Sequence, residues 1–388
     1  MSKIYLDYAA TTPIDIKVLK AMLPYLRKDF GNPSSIYYLG QKALGAIDEA
    51  RKIVADFLGC STQEIVFTGS ATEADNLAIF GVVKTVKTGK PHIITTQIEH
   101  HAVLEPCREL EKQGVEVTYL PVNKEGLVGL AEVKKAIKAN TVLVSIMYAN
   151  NEIGTVQPIA EISKLIKKTN PKILFHTDAV QAVNYLDCDV KKLGVDLLTL
   201  SSHKIYGPKG IGTLFIKKGV SIAPLIHGGG HEAGLRSGTE NVPGIVGLAA
   251  AIKEVQDPKI KIQSIKIKHL RDKIIKTILK IIPDAKLNGS QQHRLPNNVN
   301  LSFKGAEGEA MVIALDQKGI AVSTGSACSS KSLEPSHVLL ALGLSEEEAH
   351  GSLRITLGRH TTQKEIEKFL KVLPPIIERL RQISGYQL

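Results

Sequence analysis

From about Ile14 to Gln256 the chain alternates short apolar runs with helical stretches, and the runs stop at glycine, hydroxyl or charged residues. Ile65-Val66-Phe67-Thr68 breaks at Gly69-Ser70, His92-Ile93-Ile94-Thr95-Thr96 leads to Glu99-His100, and Thr141 to Met147 leads to Asn150-Asn151. Ile173-Leu174-Phe175-His176-Thr177 ends at Asp178, and Val195-Asp196-Leu197-Leu198-Thr199-Leu200 ends at Ser201-Ser202-His203-Lys204. Apolar strands separated by helices predict a three-layer α/β/α domain around a mostly parallel sheet, with ligand residues just beyond the strand ends. Pro258 opens a long basic helix and marks the passage into a smaller α/β domain. The expected division is therefore a large domain of residues 14–257 and a small domain of residues 258–388, with residues 1–13 folded back onto it.

Composition restricts the function classes. A chain of 388 residues that is 43% hydrophobic builds a large core, and no segment reaches the roughly 18 apolar residues of a membrane span. Met1-Ser2-Lys3 leads straight into a strand at Ile4 to Asp7, so no leader peptide is expected. Four cysteines without paired spacing fit a reducing, cytoplasmic compartment. The net charge of +11 is spread along helical faces: between Lys259 and Lys280, Ile262, Ile265, Leu270, Ile274 and Ile278 keep a helical period while lysines fill the gaps. That is a solvated face able to attract acidic proteins, with neither direct nucleic-acid binding nor membrane contact expected.

A lysine at the end of a buried strand, between a histidine and a Gly-Pro turn, is a candidate amine nucleophile. Lys204 thus points to an aldehyde cofactor, and a pyridoxal 5'-phosphate site needs four more parts. Asp178 supplies a carboxylate for the pyridine nitrogen, with Gln181 placed for the phenolic oxygen; the competing reading of Asp178 is a cap on the segment that follows. Ser70 and Thr72, at a strand–glycine–helix turn, form a phosphate cradle that Ser201 and His203 close. His100 can stack on the ring and carry protons, although a histidine there is also an ordinary helix start. Arg354, inside the strand Ser352 to Thr356, suits a substrate carboxylate, against the alternative of a structural ion pair, and Asn151 suits substrate or cofactor. His227 and His231 are four residues apart, but the glycines between them argue against a helical metal motif, so no resident metal is expected.

With these residues in place, the chain resembles a class V aminotransferase-type enzyme of the cysteine desulfurase family, in the housekeeping and nitrogen-fixation group. The match runs from Tyr5-Leu6-Asp7-Tyr8-Ala9-Ala10-Thr11-Thr12-Pro13 through the lysine segment and His227-Gly228-Gly229-Gly230-His231-Glu232 to Ser323-Thr324-Gly325-Ser326-Ala327-Cys328-Ser329-Ser330. The resemblance implies the fold type I of pyridoxal enzymes and Cys328 as the nucleophile that takes sulfur from L-cysteine. Small polar neighbours place that thiol on an exposed loop, whereas Cys60, Cys107 and Cys188 read as packing residues.

The resemblance further implies that Ala71, Thr72, Asn151, Gln181, Ser201, Ser202 and His203 contact the cofactor and that Thr239 reaches the phosphate of a neighbouring subunit, hence a homodimer. Lys204 then removes the substrate α-proton, His100 carries protons, and alanine leaves a Cys328 persulfide for acceptors such as an iron–sulfur scaffold or a tRNA-thiolation route. It also admits Cys328 as a transient iron–sulfur ligand. Relatives usually have Ser-Gly where this chain has Gly69-Ser70, and often Ser-Gly-His-Lys where it has Ser202; the swap moves the permissive glycine by one position while both residues stay small, and leaves the cradle's backbone conformation open. A selenocysteine lyase, a cysteine/cystine lyase or an aminotransferase would share the cofactor residues without needing Cys328.

Overall fold

The computed structural model describes residues 3–87, 89–324 and 334–386. Its seven-stranded sheet runs in the order Ile65–Thr68, Gly212–Ile216, Leu197–Ser201, Leu174–Asp178, Thr141–Ser145, His92–Thr96, Glu116–Leu120. Only Gly212–Ile216 is antiparallel to its neighbours.

Side-chain alternation explains why the strands read as unbroken apolar runs: both faces are buried. Ile65, Phe67, Leu198 and Leu200 pack on one face with Ile47 and Val54 of Tyr38–Leu58, Ile162 of Ile159–Thr169 and Leu248 of Val242–Gln256. Val66 and Leu197 face the other way, onto Leu77 of Ala71–Val83 and Val103 of His101–Lys112. This is the three-layer arrangement read from the sequence. Helix boundaries follow local chemistry: Gly59, at φ 70°, ends Tyr38–Leu58 in the left-handed region, and the Asn241 side chain caps Val242–Gln256 by accepting from Gly244 N.

A second core joins Ile4 and Leu6 to Leu270, Ile274 and Ile278 of the long helix Pro258–Ile281, and to Phe369 and Leu373 of Gln363–Ser384. Between them lies an antiparallel sheet ordered Ser352–Thr356, Asn298–Phe303, Ala285–Leu287, while Ile4–Tyr5 pairs in parallel with Ile320–Ala321.

Here the alternation has a different use. Val299, Leu301, Leu353 and Ile355 point into this core, whereas Asn298, Asn300 and Arg354 point toward the large sheet. The side-chain amides of Asn298 and Asn300 donate to Glu152 O at 3.0 and 3.2 Å, fastening the small sheet to the loop after Thr141–Ser145. Arg354 is thereby carried to the edge of the large sheet.

Candidate active site

A cavity of about 510 Å³ opens at the C-terminal ends of the parallel strands, lined among others by Ser70, His100, Asp178, Lys204 and Arg354. Open α/β sheets place ligand sites there because successive strand ends present loops and helix starts to one crevice. The reversed strand contributes its beginning instead, so Gly210 and Ile211 also line the cavity.

The cradle is built by the start of Ala71–Val83. Ser70 is extended, its Oγ accepts from Glu73 N at 3.1 Å, and its carbonyl accepts from Ala74 N. Ala71 and Thr72 line the cavity from the first turn, where helix amides lack intrahelical acceptors and suit an anion. Gly69 does not have a positive φ; its amide donates to Glu73 Oε2 at 2.8 Å, and a Cβ there would meet that same oxygen at 2.8 Å. The Gly69-Ser70 order therefore leaves an ordinary backbone, with no left-handed residue at the turn. Gly212 is the tighter position, since a Cβ on it would come within 2.5 Å of the Ser70 carbonyl carbon.

Lys204 follows Leu197–Ser201 through a single turn of 3₁₀ helix, and its Nζ donates to Ala9 O at 2.6 Å and Ala10 O at 2.7 Å. The first strand's extension thus lies across the lysine. It is also pinned by Thr12, whose N and Oγ1 both donate to His203 O. His203 closes one side, its Nδ1 3.1 Å from Thr11 Oγ1, and burial together with Lys204 pushes its pKa down to about 4. Gln181 Nε2 donates to Ala9 O at 3.0 Å.

Asp178 ends Leu174–Asp178 and is 7% exposed. Its Oδ1 accepts from Val180 N at 2.8 Å, so the capping reading of this residue and its place in the cavity hold together. Burial pushes it up to about 6, against the opposing pull of that N–H and of Lys204. The same duality applies to His100. It is the N-cap of His101–Lys112, its Nδ1 accepts from Ala102 N at 3.1 Å, and burial, then Lys204, bring its pKa to about 4. An accepting Nδ1 fixes the neutral tautomer with the proton on Nε2.

Arg354 is 2% exposed, and it does form the ion pair that competed with the clamp reading. Its Nη2 donates to Asp7 Oδ1 at 2.9 Å and its Nη1 to Asn151 O at 3.2 Å, while Nε has no acceptor among the described residues. Asn151 lines the cavity beside it.

Ser202 sits elsewhere than expected. It is fully buried beneath Gly207 and does not line the cavity. Thr239 lies in a separate depression with Thr68, Gly69 and Arg236, and Arg236 Nε donates to Glu73 Oε1 at 2.9 Å, tying that segment to the cradle. Cys328 lies outside the described residues. Cys107 and Cys188 are buried and Cys60 is partly so, with burial pushing each thiol up to about 12, as expected of packing cysteines.

Several functional neighbours escaped the sequence reading: Asp7, the carbonyls of Ala9 and Ala10, Asp75, Glu99 and Glu152. Glu99 is fully buried, accepts from Met147 N and Thr96 Oγ1, and is pushed up to about 8 by burial. Glu152, pushed up to about 7, accepts from Ser336 Oγ. Their only sequence signal is a carboxylate next to a candidate site residue.

An amine, a ring-facing carboxylate, a helix-start cradle and an arginine around one cavity fit a planar aldehyde that carries a phosphate. Comparison with known proteins agrees. The aminotransferase class-V family model matches residues 4–369. The chain is 52% identical over 388 residues to a cysteine desulfurase IscS of Dictyoglomus turgidum, covering 99% of this chain and 97% of that one. It is 52% identical over 381 residues to a cysteine desulfurase IscS of Methanosarcina thermophila, with 98% and 93% covered. A solved NifS-like protein has a TM-score of 0.90 at 39% identity over 99% of this chain and 100% of that chain. A structure of SspA in complex with cysteine has a TM-score of 0.82 at 42% identity, covering 93% and 100%.

Proposed function

The chain belongs to the class V aminotransferase family and within it to the cysteine desulfurases, and from that premise we propose how its residues take sulfur from L-cysteine. Pyridoxal phosphate is the family's cofactor. Bound here, it supplies the electron sink for charge left on the substrate α-carbon.

Lys204 would hold the cofactor through its amine, and once L-cysteine takes that place the same amine is positioned to take the substrate α-proton. Asp178 keeps a negative charge opposite the ring nitrogen. Ser70, Ala71, Thr72, Ser201 and His203 would hold the phosphate, with Thr239 of one subunit serving the other's site, and Gln181 would meet the phenolic oxygen. Neutral His100 would stack on the ring, with the proton on Nε2 available for transfer. Arg354 and Asn151 orient the substrate carboxylate, Arg354 through the guanidinium N–H groups that Asp7 and Asn151 O do not take.

The Cys328 thiolate attacks the substrate sulfur: an S–S bond forms, the C–S bond breaks, and its electron pair returns to carbon. That β-carbon is protonated, the α-carbon regains the proton that Lys204 took, and L-alanine leaves, while the persulfide stays on Cys328 for a sulfur acceptor such as an iron–sulfur scaffold protein. A homodimer is supported by exposed apolar side chains on one stretch, Ile16, Leu23, Leu26, Phe30, Ile36 and Tyr38. We place the enzyme in the cytoplasm, where reduced thiols persist. The large domain of residues 14–257 carries the cofactor, and residues 1–13 with 258–388 carry Arg354 and Cys328.

The observation that carries this reading is the convergence of Lys204, Asp178, His100 and Arg354 on one cavity. Its test is a pair of variants. Cys328→Ala is expected to keep the cofactor's visible absorption and lose persulfide formation, whereas Lys204→Ala loses the absorption of the lysine-bound cofactor. Undiminished desulfuration by Cys328→Ala, followed as alanine and sulfide from L-cysteine, overturns the assignment.

A further inference from the structure

Asp75 lies on Ala71–Val83, the helix whose start forms the cradle, and lines the same cavity as Asp178. It is 1% exposed, and the Thr199 hydroxyl is the donor that bears on its carboxyl, with no backbone N–H among the described residues within hydrogen-bond reach. The nearest ring nitrogen is His176 Nε2 at 3.5 Å, but that imidazole offers no charge. His176 is fully buried between Ser145 Oγ at 2.8 Å and Thr199 Oγ1 at 3.1 Å, and burial pushes its pKa down to about 3. The other ionisable groups bearing on Asp75 are Asp178 and Glu99, both of negative sign when ionised.

Two buried carboxylates facing one cavity, with a cation bearing on only one of them, do not both ionise, and the proton settles on the one less able to bear charge. Asp178 has the Val180 N–H at 2.8 Å and the nearby Lys204 charge to support an anion. Asp75 has neither. Burial is the largest influence raising its pKa, Asp178 adds to it, and the Thr199 hydroxyl only tempers it.

We propose that Asp75 and Asp178 form a carboxyl pair in which Asp75 keeps the proton, so that Asp178 is the partner left ionised toward the ring nitrogen. Asp75 is then a positioning residue acting through Asp178. The assignment rests on the reading of Asp178 given above. It adds that the negative charge at the ring depends on a second acid held neutral, as burial holds carboxylic acids neutral in other enzyme sites.

The test is infrared spectroscopy of the full-length protein, isotope-labelled at the aspartate side-chain carboxyl, with pyridoxal phosphate bound and with it removed. The label leaves Glu99 and Glu152 silent. At neutral pH the wild type is expected to show the labelled C=O stretch of a protonated carboxyl in both forms, absent in Asp75→Asn and retained in Asp178→Asn. No such band in the wild type overturns the pair. So does a band that survives Asp75→Asn and disappears in Asp178→Asn, since the proton then belongs to Asp178. If Asp75→Asn does not fold, the wild type and Asp178→Asn still decide. The cofactor-free arm separates failure of the pair from failure of the cofactor assignment, which would instead appear as a protein that never acquires the visible absorption of a lysine-bound cofactor.

Discussion

The side of the cavity floored by the large sheet and the side closed by the small sheet treat charge in opposite ways. On the large-sheet side Asp75, Asp178 and Glu99 are all buried, and burial raises all three. On the small-sheet side the guanidinium of Arg354 meets Asp7 at 2.9 Å and a backbone carbonyl, and Ser336 and Arg354 temper the rise that burial gives Glu152. One side manages charge by holding protons, the other by pairing. Proton holding responds to pH, whereas a pairing site depends on the geometry of its donors.

The largest expected effect that sharpens this contrast is Asp178→Asn, which removes the large-sheet carboxyl that has Lys204 near it to support its charge. It should lower kcat by about 10³-fold while leaving KM for cysteine little changed. A rise confined to KM would place Asp178 at the substrate instead. Next comes Arg354→Lys, which keeps the charge and loses the fork. Loss of one charge-assisted hydrogen bond, worth about 1.5–3 kcal/mol, should raise KM roughly 10- to 100-fold with kcat less affected. Equal KM in steady-state kinetics would return Arg354 to a purely structural pair with Asp7.

The smallest effect is on stability. Unfolded, Glu99 loses its proton near the ordinary value of 4.5; folded, it holds it to about 8. Between those values the native state binds more protons than the unfolded state, so this group makes stability fall as pH rises. Glu99→Gln removes that fall. It should raise the melting temperature relative to wild type by about 2–4 °C near the upper end of that window and hardly at all below its lower end. A pH-independent difference between the two proteins would break the account of the large-sheet side as a set of held protons.

Most of the large sheet was legible because its strands are buried on both faces and announce themselves as apolar runs ending in polar residues. Lys204, Asp178 and His100 could be picked out because each stands immediately after such a run. The small-sheet side was legible only through Arg354, whose charge interrupts an apolar strand. Asp7 and the Ala9 and Ala10 carbonyls reach the site from the opposite end of the chain, a placement decided by the pairing of Ile4–Tyr5 with Ile320–Ala321 and by no local pattern. Asp75 was hidden differently. It sits in a helix buried over most of its circumference, where a single short acid reads as a solvated residue until the packing shows that it has no solvent. Ser202 shows the reverse error: the family resemblance implied a contact, but the single 3₁₀ turn places its side chain under Gly207.

The reversed strand Gly212–Ile216 sets where this catalyst can drift in evolution and where it cannot. Gly69 and Ser70 could exchange order because only a carboxylate tip had to step aside, but behind them the main chain of one strand nearly touches the main chain of the turn. No side chain larger than hydrogen fits at Gly212 without moving the cradle itself, so the freedom seen at the front of the turn stops one layer behind it.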